Sequence, residues 1–300
     1  MLEDIQSEAQ SHSQSHSQSD IDLHYKPQMS LHEESDDSRE HSDVSDEEAD
    51  NRQCEFHIVR DIMARECGSI YDKNGVDKFI DVCIGKYSDK KFLVIHAAQI
   101  AFDPEQLERL IKSFGKDYFD LNELLEIAVN KNNLDLIPYL VNCGADISND
   151  DNYCLKTAAS NCEVETLKAL VKSGADIHYN SDEIVCHVGL FSSLNLPKTM
   201  DYLKEAGCDL ACHSNEPIKI AVYDDNATAC SKLIDLGLEL SREDVEGLIE
   251  VAIIYSKFRS LKVLMERCEI HKDFHESLKN LALEYPGLEL NNLLKEFGVA

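Results

Sequence analysis

Basic side chains are scarce in this 300-residue chain: 29 Lys and Arg stand against 57 Asp and Glu, a formal charge of -28. A field of that sign repels phosphate backbones and anionic lipid. Neither nucleic acid nor a membrane surface is therefore an expected partner, whereas a basic protein would be attracted. Long apolar runs are missing as well. The longest, residues 92–102, is broken by His96 and Gln99 and falls short of the ~20 residues that a membrane span needs. Cys-x-x-Cys pairs are absent, and the 11 cysteines are odd in number. They read as small buried apolar residues of a reducing compartment. The first residues, MLEDIQSEAQ, are acidic and polar, unlike a signal peptide. A soluble intracellular protein is expected, in the cytoplasm or, alternatively, the nucleus.

Catalytic motifs are lacking too. There is no G-x-x-x-x-G-K-[ST], no G-x-G-x-x-G and no G-x-S-x-G, so no phosphate loop, dinucleotide fingerprint or nucleophile elbow is expected. Two arrangements come near a metal motif. In His271-x-x-x-His275-Glu276, Lys272 stands where a zinc protease needs its glutamate, and no third ligand is apparent. In Cys208-x-x-x-Cys212-His213 the spacing is too loose to be diagnostic, and core packing is the simpler reading. The expectation is no enzyme, no metal and no cofactor.

What is present falls into two compositions. Residues 1–53 carry 15 acidic and 3 basic side chains and little apolar content, too little to offset the entropy of ordering, so a disordered acidic tail is expected. Within it Ser35 precedes Asp36 and Asp37, and Ser45 precedes Asp46, Glu47 and Glu48. Both match acid-directed kinase sites and are the candidate phosphorylation sites. His12, His16, His24, His32 and His41 could at most bind a metal weakly, since nothing fixes their geometry.

The remainder is organised around Leu155–Ile177. Leu155, Ala158 and Ala159 form one apolar helical face, and Val164, Leu167, Leu170 and Val171 form another. Gly174 then stands where a helix C-terminus needs a left-handed residue. A unit this small cannot bury its own faces and has to stack on copies. Copies exist. Turn glycines recur at Gly115, Gly144, Gly174, Gly207, Gly237 and Gly298, with Arg267 or Cys268 in the one place that lacks a glycine. A small residue keeps the same step at Ala98, Ala128, Ala158, Gly189, Ala221, Ala252 and Ala282. Two independent markers in register predict a tandem array of helix pairs.

At these residues the chain resembles the ankyrin repeats, over about residues 91–300. Leu155-x-x-Ala158-Ala159 is similar to the family's Leu-His-x-Ala-Ala, Ile95-His96-Ala97-Ala98 retains the histidine, and Val164 to Asp176 is similar to its second helix and turn. Lys156, Glu126, Lys219 and Glu250 replace the histidine elsewhere, the Thr-Pro before the first helix is missing, and the stretch from Gly144 to Ala158 is short, so trimmed fingers are expected. Such divergent repeats resemble those of giant viruses, amoebae and intracellular bacteria, which adds a host-cell cytosol to the candidate compartments.

The resemblance implies an all-α solenoid of about seven repeats over 91–300, the last acting as a C-terminal cap. Residues 54–90 are then a degenerate first repeat or N-terminal cap, or else a small adaptor domain. It also implies a monomeric, non-enzymatic scaffold or adaptor that binds a protein on its concave face. The positions assigned to that face include Asn161, Phe191, Tyr223, Ile254 and Tyr255, which are either a partner site with aromatic anchors or ordinary core between neighbouring helices. The alternative function is capture of a basic protein by the acidic tail.

Overall fold

Helix pairs arise wherever the apolar period of 3.6 is interrupted by a residue that tolerates left-handed backbone. The computed structural model describes residues 58–67, 73–101, 103–188 and 195–299. The tail with Ser35 and Ser45, and Phe191 with Gly189, lie outside them. Among the described residues the structure is helical, without strands.

Seven pairs follow one another. They are α2 (Lys91–Gln99) with α3 (Pro104–Phe114), α4 (Leu121–Asn130) with α5 (Leu136–Cys143), and α6 (Asn149–Ser160) with α7 (Val164–Lys172). In the fourth, Tyr179–Asp182 and a 3-10 turn, Glu183–His187, precede α8 (Leu196–Glu205). Then come α9 (Cys212–Tyr223) with α10 (Ala227–Asp235), α11 (Arg242–Ile254) with α12 (Phe258–Arg267), and α13 (Phe274–Glu284) with α14 (Leu288–Glu296). First helices pack on first helices and second on second, so the array has two layers. Ahead of it, α1 (Lys73–Lys86) packs on α3 in the second-helix layer and on the π-helical turn Met63–Cys67.

The recurring small residue has a backbone role. The carbonyls of Ala128, Ala158, Ala221 and Ala252 accept the N–H five residues on, from Asn133 (2.8 Å), Glu163 (2.9 Å), Asn226 (2.8 Å) and Lys257 (2.7 Å). The residue before each donor is left-handed: Asn132, Cys162, Asp225 and Ser256, with φ of 54–56°. Second helices close the same way. Leu140, Leu170, Leu203, Leu233 and Leu294 accept from Ala145, Ala175, Cys208, Leu238 and Val299 at 2.9–3.1 Å, across Gly144, Gly174, Gly207, Gly237 and Gly298 at positive φ. These are Schellman closures, which satisfy terminal carbonyls and reverse the chain. The accepting leucines are buried in the shared core, where each contributes on the order of 1.5–3 kcal/mol.

Two members depart. Cys268, in the place without a glycine, is extended (φ -106°, ψ 151°), and Gly115 combines φ 85° with ψ 151°. Neither is the left-handed helical conformation of the other turns. The fourth first helix is tightened to a 3-10 turn that ends before Val188 and Gly189, residues of low helix propensity.

The fingers are reduced to turns. Asp146, Asp176 and Asp209 accept, through Oδ1, the N–H of Ser148, His178 and Ala211, each at 2.9 Å. A left-handed stretch then leads into the first helix at Asp150–Asn152, Asn180–Asp182 and His213–Asn215. Pro217 thus stands just after the left-handed residues, where its missing N–H is harmless. Adjacent units are tied by polar bonds made at the buried residues Thr166 and Ser260. Thr166 donates to Asn132 Oδ1, and the Ser260 N–H donates to Asp225 Oδ1 at 2.8 Å.

A Cβ on Gly174 would meet nothing within 4 Å, so Gly174→Ala should cost only backbone strain, on the order of 1 kcal/mol. Leu155→Ala, which opens a cavity, should cost about 2–5 kcal/mol. Urea melts followed by circular dichroism check both, and equal losses would contradict the assignment.

Candidate partner-binding face

The residues at stake sit where the first helices end. Tyr223 and Ile254 are the last residues of α9 and α11, and Asp224 and Tyr255 are their caps. Closure of each helix by its alanine carbonyl fixes these side chains in register from unit to unit. Tyr223, Ile254 and Tyr255 are 46%, 40% and 53% exposed, so they do not fold down as core. The two tyrosine rings lie 5.4 Å apart, tilted by 58°. Lys257 Nζ stands 5.4 Å from the centroid of Tyr223, within cation–π range. Partial burial holds the Asp224 carboxyl above its ordinary range, opposed by Lys257.

In the second and third units the same positions are polar. Asn161 is exposed and caps α6, while Ser160 is buried and donates to the Lys156 carbonyl at 2.9 Å. Lys131 donates to the Gln99 carbonyl at 2.7 Å, and its own burial lowers its pKa. Tyr223, Ile254 and Tyr255 are thus brought together in the fifth and sixth units, and Asn161 belongs to the polar stretch.

A second column lies two residues before the small residue of each of the first six units: His96, Glu126, Lys156, His187, Lys219 and Glu250. Sequence reasoning missed His187, because the marker there is Gly189 rather than alanine; counting back two from Gly189 would have found it. Lys156 Nζ lies 2.5 Å from Asp151, 3.7 Å from Glu183 and 5.4 Å from the Tyr179 ring centroid. His187 Nε2 is 3.6 Å from Glu183.

The metal-like motifs come apart. His271 precedes α13 in a turn while His275 lies in its first turn, so the pair does not share a helical face. His213 turns away from Cys208 and Cys212 and donates through Nε2 to the Asn180 carbonyl at 2.9 Å. Among the basic residues of the sixth unit, Lys262 pairs with Glu296 (3.1 Å) and Arg267 with Asp235 (3.1 Å). A cavity of about 330 Å³ runs across the second, third and fourth units, lined by Asn132, Cys162, Glu163, Thr166 and Lys198. Burial raises the Glu163 carboxyl, opposed by the bond from Asn132. No helix among the described residues is long and apolar enough to cross a membrane.

A curated protein of Acanthamoeba polyphaga mimivirus, named as an ankyrin repeat protein, is 27% identical over 195 residues, 65% of this chain and 38% of its own length. The chain thus spans well under half of that relative. No protein-family model matches the chain, and no solved structure does. With the two-layered helix pairs, the match supports a distant ankyrin-repeat relationship.

Burial, reinforced by the Lys156 charge and opposed by Glu183, lowers the His187 pKa below 6.5. The unfolded chain therefore takes up this proton first. Its contribution to stability is complete above pH about 6.5 and is lost as pH falls from there toward the folded pKa. Denaturant midpoints at pH 7.5 and 5.5 should fall less in His187→Gln than in the parent; an equal fall would remove His187 as a source.

Proposed function

We propose that this chain is a non-enzymatic scaffold or adaptor that binds a partner protein on the face where its first helices end. Tyr223, Ile254 and Tyr255 are the anchors, and Phe191 and Asn161 are further members of the surface. The observation that carries this reading is the half-exposed tyrosine pair at 5.4 Å with Lys257 over one ring. Rings held in place before binding lose little entropy on capture and tend to dominate interface energy. A role in protein interaction is also what the ankyrin relationship suggests. Acidic surroundings favour a partner with basic residues around an apolar centre.

On the same reading the scaffold is monomeric and cytoplasmic, and residues 54–90 serve as the N-terminal cap or degenerate first repeat. The packing of α1 into the second-helix layer supports the latter.

Tyr223→Ala combined with Tyr255→Ala should weaken the isolated partner's affinity by at least about thirtyfold, the equivalent of ~2 kcal/mol, with an unchanged melting temperature. Calorimetry on a partner first captured by the parent chain checks this; unchanged affinity sinks the reading. Affinity should also fall only modestly as salt rises. A steep fall would transfer the binding to the acidic residues 1–53.

A further inference from the structure

Two successive fingers, one ahead of the fourth unit and one ahead of the fifth, bring three different donor atoms together. The order of the first begins with the Asx turn, in which Asp176 Oδ1 accepts the His178 N–H at 2.9 Å, fixing the backbone of His178. Four residues on, Asp182 is left-handed at φ 67°, and its Oδ2 accepts the Asp209 N–H of the next unit at 2.9 Å. That bond leaves Oδ1, which lies 2.6 Å from His178 Nδ1. Cys208 occupies the turn position that holds Ala145 and Ala175 in earlier units. It is buried, and its thiol is hydrogen-bonded to Asp182. The donor atoms of His178, Asp182 and Cys208 all lie within 4.8 Å of one another.

We propose that His178 Nδ1, Asp182 Oδ1 and Cys208 Sγ form a binding site for a divalent transition metal of zinc type, with water in the fourth position. The donor set decides the class. A sulfur with an imidazole excludes magnesium and calcium, which take oxygen, and fits zinc or cobalt. Metal–sulfur bonds of about 2.3 Å and metal–nitrogen or –oxygen bonds of about 2.0–2.1 Å imply donor spacings near 3.3–3.6 Å. The imidazole–carboxylate contact therefore opens and the wider spacings close, by side-chain rotation alone. His178 is half-exposed and gives the ion a way in. The Asp209 N–H holds the second carboxylate oxygen as outer partners of metal ligands do.

Protons balance as follows. Burial, followed by the Asp182 charge, pushes the Cys208 thiol up to about 12, so without metal it is neutral. Binding releases that proton to water as the metal–sulfur bond forms, and the imidazole proton moves from Nδ1 to Nε2. The ion would staple the fourth unit, whose first helix is only a 3-10 turn, to the fifth. Two further thiols, Cys186 and Cys212, lie 3.8 Å apart across the same joint but are not ligands here. Sequence alone pointed to Cys208 with Cys212 and His213; the structure exchanges the latter two for residues of the preceding unit.

The test uses the full chain, reduced and metal-free, titrated with cobalt(II) alone and then with zinc(II). Thiolate-to-cobalt charge-transfer absorption is expected, bleached by zinc. The histidines of residues 1–53 add no sulfur band and so leave the readout unaffected. Cys208→Ala, the residue native to equivalent positions, should abolish the band and weaken zinc at least about a hundredfold, the upper end of what an outer partner contributes. His178→Ala should lose the rise in melting temperature that zinc gives the parent, and Cys186→Ala should keep the band. Absence of the band in the parent chain, its survival in Cys208→Ala, or its loss in Cys186→Ala overturns the proposal.

Discussion

The regularity of the array depends on one backbone hydrogen bond, made at the end of nine of its helices from an N–H to the carbonyl five residues earlier. It forms only if the residue between donor and helix adopts positive φ. Where it forms, the chain leaves the helix at a fixed angle, and the next helix starts in the same place relative to the last. The period of about thirty residues follows from that bond. The first helix closes on an alanine carbonyl and the second on a leucine carbonyl, so the closures also place the residues through which units stack. Where the closure is missing, as at Cys268, the packing of α13 on α11 and of α14 on α12 keeps the seventh unit in register.

This explains what could be read without coordinates. Left-handed glycines and small residues are backbone requirements, which leave a mark on residue type. Gly144, Gly174, Gly207 and Gly237 therefore announced the turns, and Ala128, Ala158, Ala221 and Ala252 the helix ends. The partner of each mark is another matter. Asn132, Cys162, Asp225 and Ser256 are left-handed without being glycine; Asn and Asp tolerate that conformation, but Cys and Ser give no such sign. His187 was legible two residues before Gly189, whereas the 3-10 turn that carries it could not be told from a helix by apolar spacing. The ligand set around Cys208 was invisible for a different reason. His178 and Asp182 precede it by roughly one repeat, and only stacking brings them together.

Core packing and the variable surface occupy different positions of the same unit. Leu125, Leu155, Ile218 and Ile249 are buried in every unit that carries them, and changing them disturbs the stack. Two residues past each alanine the constraint relaxes, because the helix is ending: Tyr223 and Ile254 project there, whereas Ser160 folds back onto the Lys156 carbonyl. Those positions vary from Asn130 to Ser160 to Tyr223 to Ile254 with no change in the closure beneath. A repeat scaffold can therefore alter its surface at little cost to its fold, the general property of quasi-one-dimensional arrays.

The fingers show the opposite arrangement, in which strain is accepted for the sake of side chains. Three consecutive left-handed residues cost on the order of 1–3 kcal/mol each, and glycine would relieve most of it. The chain instead carries Asp150–Asn152, Asn180–Asp182 and His213–Asn215 there. One residue in each stretch reaches across to a neighbouring finger or unit. Asp151 accepts from Tyr179 and pairs with Lys156, Asp182 holds the Asp209 N–H and meets His178, and His213 donates to Asn180. A glycine has no side chain with which to make such a bond, so the strain and the cross-links come from the same choice. With the hairpins trimmed away, these links are what remains to hold successive fingers in line, and they leave polar and metal-competent groups ordered along one edge of the stack.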